Sequence, residues 1–451
     1  MRSHIIDSKI FGDQFSTEEM RLIFSEENMI NKWIEVEVAL AEAEAKLGII
    51  PADAVHEIKQ KGKVELFNFD QIKQGVDKTW HPLVPFIREF KSLCEDEAGE
   101  YIHWGVTTQD VMDTGMVLQI KEAFKVIEKE LEDLQEILCE LAKKHSDTVM
   151  AGRTHGQHAL PITFGYKVAV WASEVNRHVS RLNNLKESVL TGNIAGAVGT
   201  LASLGEDGLK VQSEVNSYLG LEVPDIAWHV SRDRFADVTS FLGILGGTFG
   251  KISNEIIQLQ KTEIAEVEEP FEFGRIGSST MPQKRNPMAC EAVGAVCRLL
   301  RSQSSLGIEA MVQEHERDMG PWQAEWEFIP EMFMLSASVL HHMKWILKDL
   351  HVYSSTMRKN LEKSNGLIMS EAVMMHLAET LGRQKAHDEV YQVAMKAFEE
   401  NISLKDALKS NQEIADILSP PEIEELLNPL NYTGSSKEFV ENVISKIQGY
   451  K

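Results

Sequence analysis

The segment VLQIKEAFKVIEKELEDLQEILCEL (residues 117–141) decides the fold. Its apolar residues Val117, Ile120, Phe124, Ile127, Leu131, Leu134, Leu138 and Leu141 alternate spacings of three and four. That spacing places them on one narrow stripe of an α-helix, the seam a helix needs when it packs in a bundle. The stripe outruns the ~11–12 residues of an average helix. Proline is absent from Phe86 to Leu160, from Ile162 to Val223 and from Asp225 to Glu269. Because proline breaks helices, these gaps permit unusually long ones. Regular strand alternation is scarce, so the expected class is all-α, with a central bundle of long helices.

Working outward, three regions are expected. Residues 1–112 form shorter helices, with LGIIPADA (47–54) and TWHPLVPF (79–86) as turns. Residues 113–362 form the bundle, interrupted by loops near 145–162, 270–290 and 315–325. Residues 363–451 form a smaller helical region with a loop at LSPPE. The glycines of GILGGTFGK (243–251) lack the spacing of a phosphate-binding loop and read as close helix packing.

The formal net charge is −23. Such a chain repels phosphate backbones and anionic lipid, so neither nucleic acid nor membrane is an expected partner. Cys94, Cys139, Cys290 and Cys297 show no C-x-x-C spacing and read as free thiols in a reducing compartment. The N-terminal residues lack the apolar core of a signal peptide, and no apolar run approaches the ~20 residues that span a bilayer. The expected location is the cytoplasm.

Three segments carry chemistry. In GRIGSSTMPQKRNPMACE (274–291), two serines lie near Lys284 and Arg285. Nearby cations lower the cost of forming an alkoxide; the alternative is a plain Gly/Ser turn. In MAGRTHGQHALPITFG (150–165), His155 and His158 flank Gly156, with no carboxylate or cysteine nearby to complete a metal site. Acid–base work suits a histidine, whose pKa is near neutrality; the alternative is an ordinary loop histidine. In YIHWGVTTQDVMDT (101–114), Thr107, Thr108 and Gln109 offer uncharged donors, with Asp110 at a helix start. Donors there suit a substrate carboxylate; the alternative is a simple N-cap. His81 in TWHPLVPF and the stretch EHERDMGPWQAEW (314–326) complete the set. One site uses all of these. Elimination β to a carboxylate needs a base for the carbon-bound proton and an acid for the leaving group. It also needs cations and amides to hold the charge that develops on the carboxylate.

Gly277-Ser278-Ser279-Thr280-Met281-Pro282-Gln283-Lys284-Arg285-Asn286-Pro287 resembles the GSSxMPxKxNP signature of the fumarase/aspartase superfamily. Thr107–Asp110, Gly152–His158 and GNIAGAVGT (192–200) resemble its other regions, in the same order. The resemblance implies a three-domain helical protein whose long helices assemble four subunits around a twenty-helix core. Each active site would be built from three subunits, with no metal or organic cofactor. It further implies Ser278 as general base. His155 would be the general acid, or would position it, with Glu291 as charge partner. His81 would lie near the leaving group. Thr107, Thr108, Gln109, Thr154, Gln260, Ser279, Lys284 and Asn286 would bind substrate.

Two branches share these features. Thr154-His155 and His81 look like adenylosuccinate lyase. FGDQFSTEEMRLIFS (11–25) and HERDMGPWQAEW look like 3-carboxy-cis,cis-muconate cycloisomerase. Where adenylosuccinate lyases usually carry an Arg-Tyr pair and a downstream Ser and Arg, this chain has Gln14-Phe15, Trp322 and Trp326. The expected activity is C–N cleavage of an N-substituted succinate releasing fumarate, on a small di- or tricarboxylate without a nucleotide. The alternative is lactonisation through a C–O bond. A catalytically inactive structural protein of the same fold would have lost the serine or histidine, and both are present.

Overall fold

The computed structural model describes residues 3–95, 97–271, 280–281 and 283–449. Helices dominate it, and the seam of residues 117–141 lies in one helix, Thr108–Lys144. Every residue of that seam is buried. The other long helices are Phe164–Val189, Asp233–Gln260, Met288–Glu309 and Met319–Lys348. No helix among the described residues is long and apolar enough to cross a membrane.

The chain divides into two compact units. The first comprises Met1–Glu130, His178–Phe249 and Ala295–His341; the second comprises Leu131–Arg177, Gly250–Gly294 and His342–Lys451. In the first unit, the glycines at 243 and 246 mark a close helix approach, as expected. A Cβ on Gly243 would lie 2.5 Å from Ser304 Cβ, and one on Gly246 would lie 2.9 Å from Leu300 Cβ. In the second unit, helices Ser370–Leu381 and Arg383–Glu399 share an apolar core that includes Val373, Leu377, Val390 and Val393.

Two expected loops are more ordered than their sequences suggest. Residues 145–162 hold an antiparallel hairpin, β1 (Val149–Thr154) and β2 (Gln157–Thr163). Pro161 and a register shift between Ala151 and Arg153 interrupt the alternation that marks a strand. In a two-stranded ribbon both strands are edges, and an edge tolerates proline. Near 315–325, the helix already starts at Met319, because Asp318 Oδ1 accepts from the Gly320 N–H at 3.2 Å and Pro321 suits a first turn.

Candidate active site

In the first unit, polar groups gather at the start of helix Thr108–Lys144. The Thr107 N–H donates to Asp110 Oδ2 (3.0 Å), half of a reciprocal cap. Asp110 is fully buried; it also accepts from the Gly196 N–H (2.8 Å) and meets His229 Nε2 at 2.7 Å. Gln109 is buried as well. Its Nε2 donates to the His229 carbonyl (2.9 Å), and its Oε1 accepts from Arg317 Nε (3.3 Å). Arg317 also donates to Thr107 Oγ1 at 2.6 Å. Thr107 and Gln109 therefore hold a guanidinium at the helix start, while Thr108 is half-buried.

His81 is half-buried just before helix Val84–Leu93. Its Nδ1 accepts from the Val84 N–H at 3.0 Å, so that nitrogen carries no proton and Nε2 is the donor. Burial lowers the His81 pKa, and the charges of His103, Arg317 and Arg88 lower it further. His103 is held by Glu37, from helix Glu26–Lys46. Glu37 Oε1 lies 2.7 Å from His103 Nδ1, and Oε2 accepts from the His103 N–H at 2.9 Å.

One turn beyond Thr108 the same unit contains a cavity of about 410 Å³. Met29, Trp33, Met112, Met116, Trp322 and Trp326 are among its lining side chains, as is Pro82, the neighbour of His81. Two of its three acidic lining residues, Asp113 and Glu325, share one buried cation. Arg232 donates to Asp113 at 2.8 and 3.0 Å and to Glu325 through Nε at 3.0 Å, with a second, shorter bond from Nη2. The guanidinium also sits 5.1 Å from the Trp228 ring centroid and 4.8 Å from that of Phe235. Burial pushes the Glu325 pKa up to about 7 against the pull of Arg232. Trp322 donates from Nε1 to Asp113 at 2.9 Å and packs edge-on to Trp326.

In the second unit, His155 and Gly156 are the two-residue turn of the hairpin, with φ values of 52° and 76°. Two positive φ values characterise a type I′ turn, which matches the twist of a hairpin and suits Gly and a short polar residue. His155 and Thr154 are exposed. Behind them Arg153 forms a two-pronged ion pair with buried Glu266 (3.0 and 2.7 Å), and Asn360 Nδ2 donates to Glu266 at 2.8 Å. Burial lowers the pKa of His158, assisted by the charge of Arg153.

Gln260 joins the two ends of the signature loop. Its Oε1 accepts from the Glu269 N–H at 3.0 Å and its Nε2 donates to the Arg285 carbonyl at 3.3 Å. Glu269 accepts from the N–H groups of Ala289 (3.2 Å) and Cys290 (3.1 Å), closing the start of helix Met288–Glu309. Arg285 pairs with Glu268 (3.0 Å) and lies over the Phe271 ring. Lys284 and Glu291 are exposed and Asn286 is half-buried. No hydrogen bond joins His155 to Glu291 among the described residues. Ser278 and Ser279 lie outside the described residues.

The sequence reading missed the Glu37–His103 pair. It named Asp110 only as a helix start and overlooked its partner His229.

Residues 14–300 match the family described as Lyase, and residues 366–443 match the adenylosuccinate lyase C-terminus. The chain is 44% identical over 449 residues to N-acetyl-S-(2-succino)cysteine lyase of Dickeya dadantii, covering 100% of this chain and 99% of that one. It is 40% identical over 450 residues to adenylosuccinate lyase of Pyrococcus abyssi, covering 99% and 98%. The structure of 3-carboxy-cis,cis-muconate lactonizing enzyme from Pseudomonas putida superposes with a TM-score of 0.93 at 34% identity, covering 98% of this chain and 100% of that one. With the signature segments in order on a helical fold, the chain belongs to the fumarase/aspartase superfamily of lyases, in the branch that holds adenylosuccinate lyases and carboxymuconate cycloisomerases.

Proposed function

We propose that the enzyme eliminates a small leaving group from a succinyl adduct, releasing fumarate, and that this group is a compact thiol of the N-acylcysteine type. The observation that carries this reading is the cavity beside His81. Its walls are mostly apolar, tryptophan and methionine among them, and Arg232, the buried cation next to its lining residues Asp113 and Glu325, is already engaged by both carboxylates. A nucleotide phosphate entering there would meet Asp113 and Glu325 rather than an unpaired guanidinium, and burying an uncompensated charge is expensive. Lys73, also at the lining, is paired with Asp77. Apolar walls suit a short acyl and thioether portion. The 44% identity to a lyase named for an S-succinylated cysteine supports sulfur as the leaving atom. The two histidines also leave room for the C–N cleavage expected from the sequence.

In this reading Ser278 is the base that takes the carbon-bound proton. Lys284, Asn286, Thr108 and Thr154 hold the succinyl carboxylates. His155, with Glu291, serves the acid side or positions the group that does. Homotetramers are part of the proposal, with active sites completed by more than one subunit. Leu299 and Leu306, seven apart on one helix, are exposed together with Ile244, and soluble monomers rarely leave such stripes uncovered.

The test is steady-state fumarate release from N-acetyl-S-(2-succino)cysteine and from adenylosuccinate, with ring opening of carboxymuconolactone to the carboxymuconate followed by absorbance. The expected kcat/KM is on the order of 10⁴ M⁻¹s⁻¹ or more for the thioether. It should be at least about a hundredfold lower for adenylosuccinate, about 2.7 kcal/mol. Equal or better turnover of adenylosuccinate refutes the reading.

A further inference from the structure

If His155 only positions the acid, the proton for the departing atom needs another donor. His81 stands closest in sequence to the leaving-group cavity, yet its geometry disqualifies it as the donor. Its Nδ1 accepts the Val84 N–H, which leaves a neutral ring with a single proton on Nε2. Giving that proton away would create an imidazolate, far beyond the range in which histidine works. Taking a second proton on Nδ1 would first break the bond from Val84. His81 can orient a leaving atom by hydrogen bonding but cannot protonate it.

We propose that His103 is the general acid that protonates the leaving heteroatom, and that Glu37 is its positioning residue. The carboxylate grips His103 twice, at the ring Nδ1 (2.7 Å) and at the backbone N–H (2.9 Å). The double contact fixes the ring plane and commits Nδ1 to Glu37, so Nε2 is left as the working nitrogen. No described residue hydrogen-bonds that Nε2, and the side chain is 22% exposed. The backbone at His103 is left-handed, φ 63°, a conformation that costs free energy and persists where the surroundings enforce it.

The charges around the pair agree. Burial alone would lower the His103 pKa, but Glu37, by charge and hydrogen bond, and then Asp110 carry it above its ordinary value. Its neighbour His81 moves the opposite way, and Arg317 and Arg88 add to that fall. Two adjacent histidines pushed apart in this manner divide into one proton carrier and one neutral partner. Glu44, further along the same helix as Glu37, is fully buried with both oxygens unpartnered among the described residues, and its pKa is pushed up to about 9. It stays protonated at neutral pH and does not compete for His103.

The step balances. The base removes the proton from the carbon beside the carboxylate, and that electron pair forms the double bond of fumarate. The bond from carbon to the heteroatom breaks, with its pair going to the heteroatom. His103 Nε2 then delivers its proton there and recovers one from solvent.

The assignment rests on the elimination proposed above, so the first test needs no substrate. Diethyl pyrocarbonate modifies neutral imidazole, and mass spectrometry locates the adduct. His103 should react slowly at pH 6.5 in the native enzyme and several-fold faster in Glu37→Gln. With whichever succinyl adduct is turned over, Glu37→Gln and His103→Asn should each lower kcat about 10²–10³-fold with KM little changed. The double variant should be no worse than His103→Asn alone. The alkaline limb of kcat/KM should move to lower pH in Glu37→Gln and return part of the way in Glu37→Asp. A merely structural Glu37 would lower Tm without moving that limb, which overturns the proposal. So does His103→Asn with near-native kcat, an outcome readable even if Glu37→Gln fails to fold. Turnover of an unexpected substrate with the limb shift intact would overturn only the thioether reading.

Discussion

Replacing Arg232 with Met removes the one cation that Asp113 and Glu325 share while keeping much of the side-chain volume. Both carboxylates are buried, at 1% and 2% exposure, and the side-chain donors left among the described residues, Trp322 Nε1 and Asn193 Nδ2, both serve Asp113. Removing one partner from a buried ion pair typically costs about 3–5 kcal/mol, because the remaining charge is uncompensated. With an unfolding entropy near 2.1 cal/mol/K per residue, that is a fall in Tm of about 3–5 °C for a cooperative chain of this length. The penalty should depend on pH. The Glu325 pKa stands at about 7, above its ordinary 4.5, and losing Arg232 raises it further. A carboxyl with a raised folded-state pKa destabilises the fold as pH climbs past the unfolded value, and the loss is relieved as pH falls. Arg232→Met should therefore lie closer to the native enzyme at pH 5.5 than at pH 8. Adding Glu325→Gln should recover part of the difference. Calorimetric scans at both pH values provide the measurement. An unchanged Tm at pH 8, or an equal loss at both, would show that the guanidinium does not neutralise this cavity.

Two further expectations concern the hairpin. His155→Asn should keep the native Tm, because Asn accepts the left-handed turn, whereas His155→Val should lose about 1–2 kcal/mol from a branched side chain at φ 52°. If His155 acts in acid–base chemistry, both should lower kcat about 10²–10⁴-fold, so kinetics and melting together separate its conformational role from its chemical one. Glu266→Gln should destabilise by about 1.5–3 kcal/mol, by weakening its bonds to Arg153 and Asn360; a melting curve identical to the native one would remove Glu266 as the hairpin's anchor.

The long helices were legible because their signal is local. An apolar stripe at alternate spacings of three and four has few other solutions, and every residue of the stripe at 117–141 is buried. The glycines at 243 and 246 were legible for the same reason. The hairpin was hidden because Gly152 and Pro161 interrupt strands only a few residues long. The polar cluster was hidden for a different reason. Arg232 meets Asp113 across 119 positions and Glu325 across 93, and Glu37 meets His103 across 66. Nothing in WIEVEVALAEAEAK (33–46) marks which glutamates face inward; Glu37 and Glu44 do, seven apart, while Glu35 and Glu42 remain partly exposed. Gln260 shows the limit of reading a role from position, since its amide is engaged in joining the ends of the loop.

The hairpin tip has a consequence for how this protein can diverge. A two-residue turn contains no spare length, and Thr154 pairs directly with Gln157. Inserting or deleting one residue there would reverse the facing of every later side chain in β2, turning buried Pro161 and Thr163 outward. Point substitution at 155 costs a turn preference; a change of length costs the ribbon. Descendants of this chain are therefore free to exchange the chemistry at position 155, but an alignment of them should run through residues 149–163 without a gap.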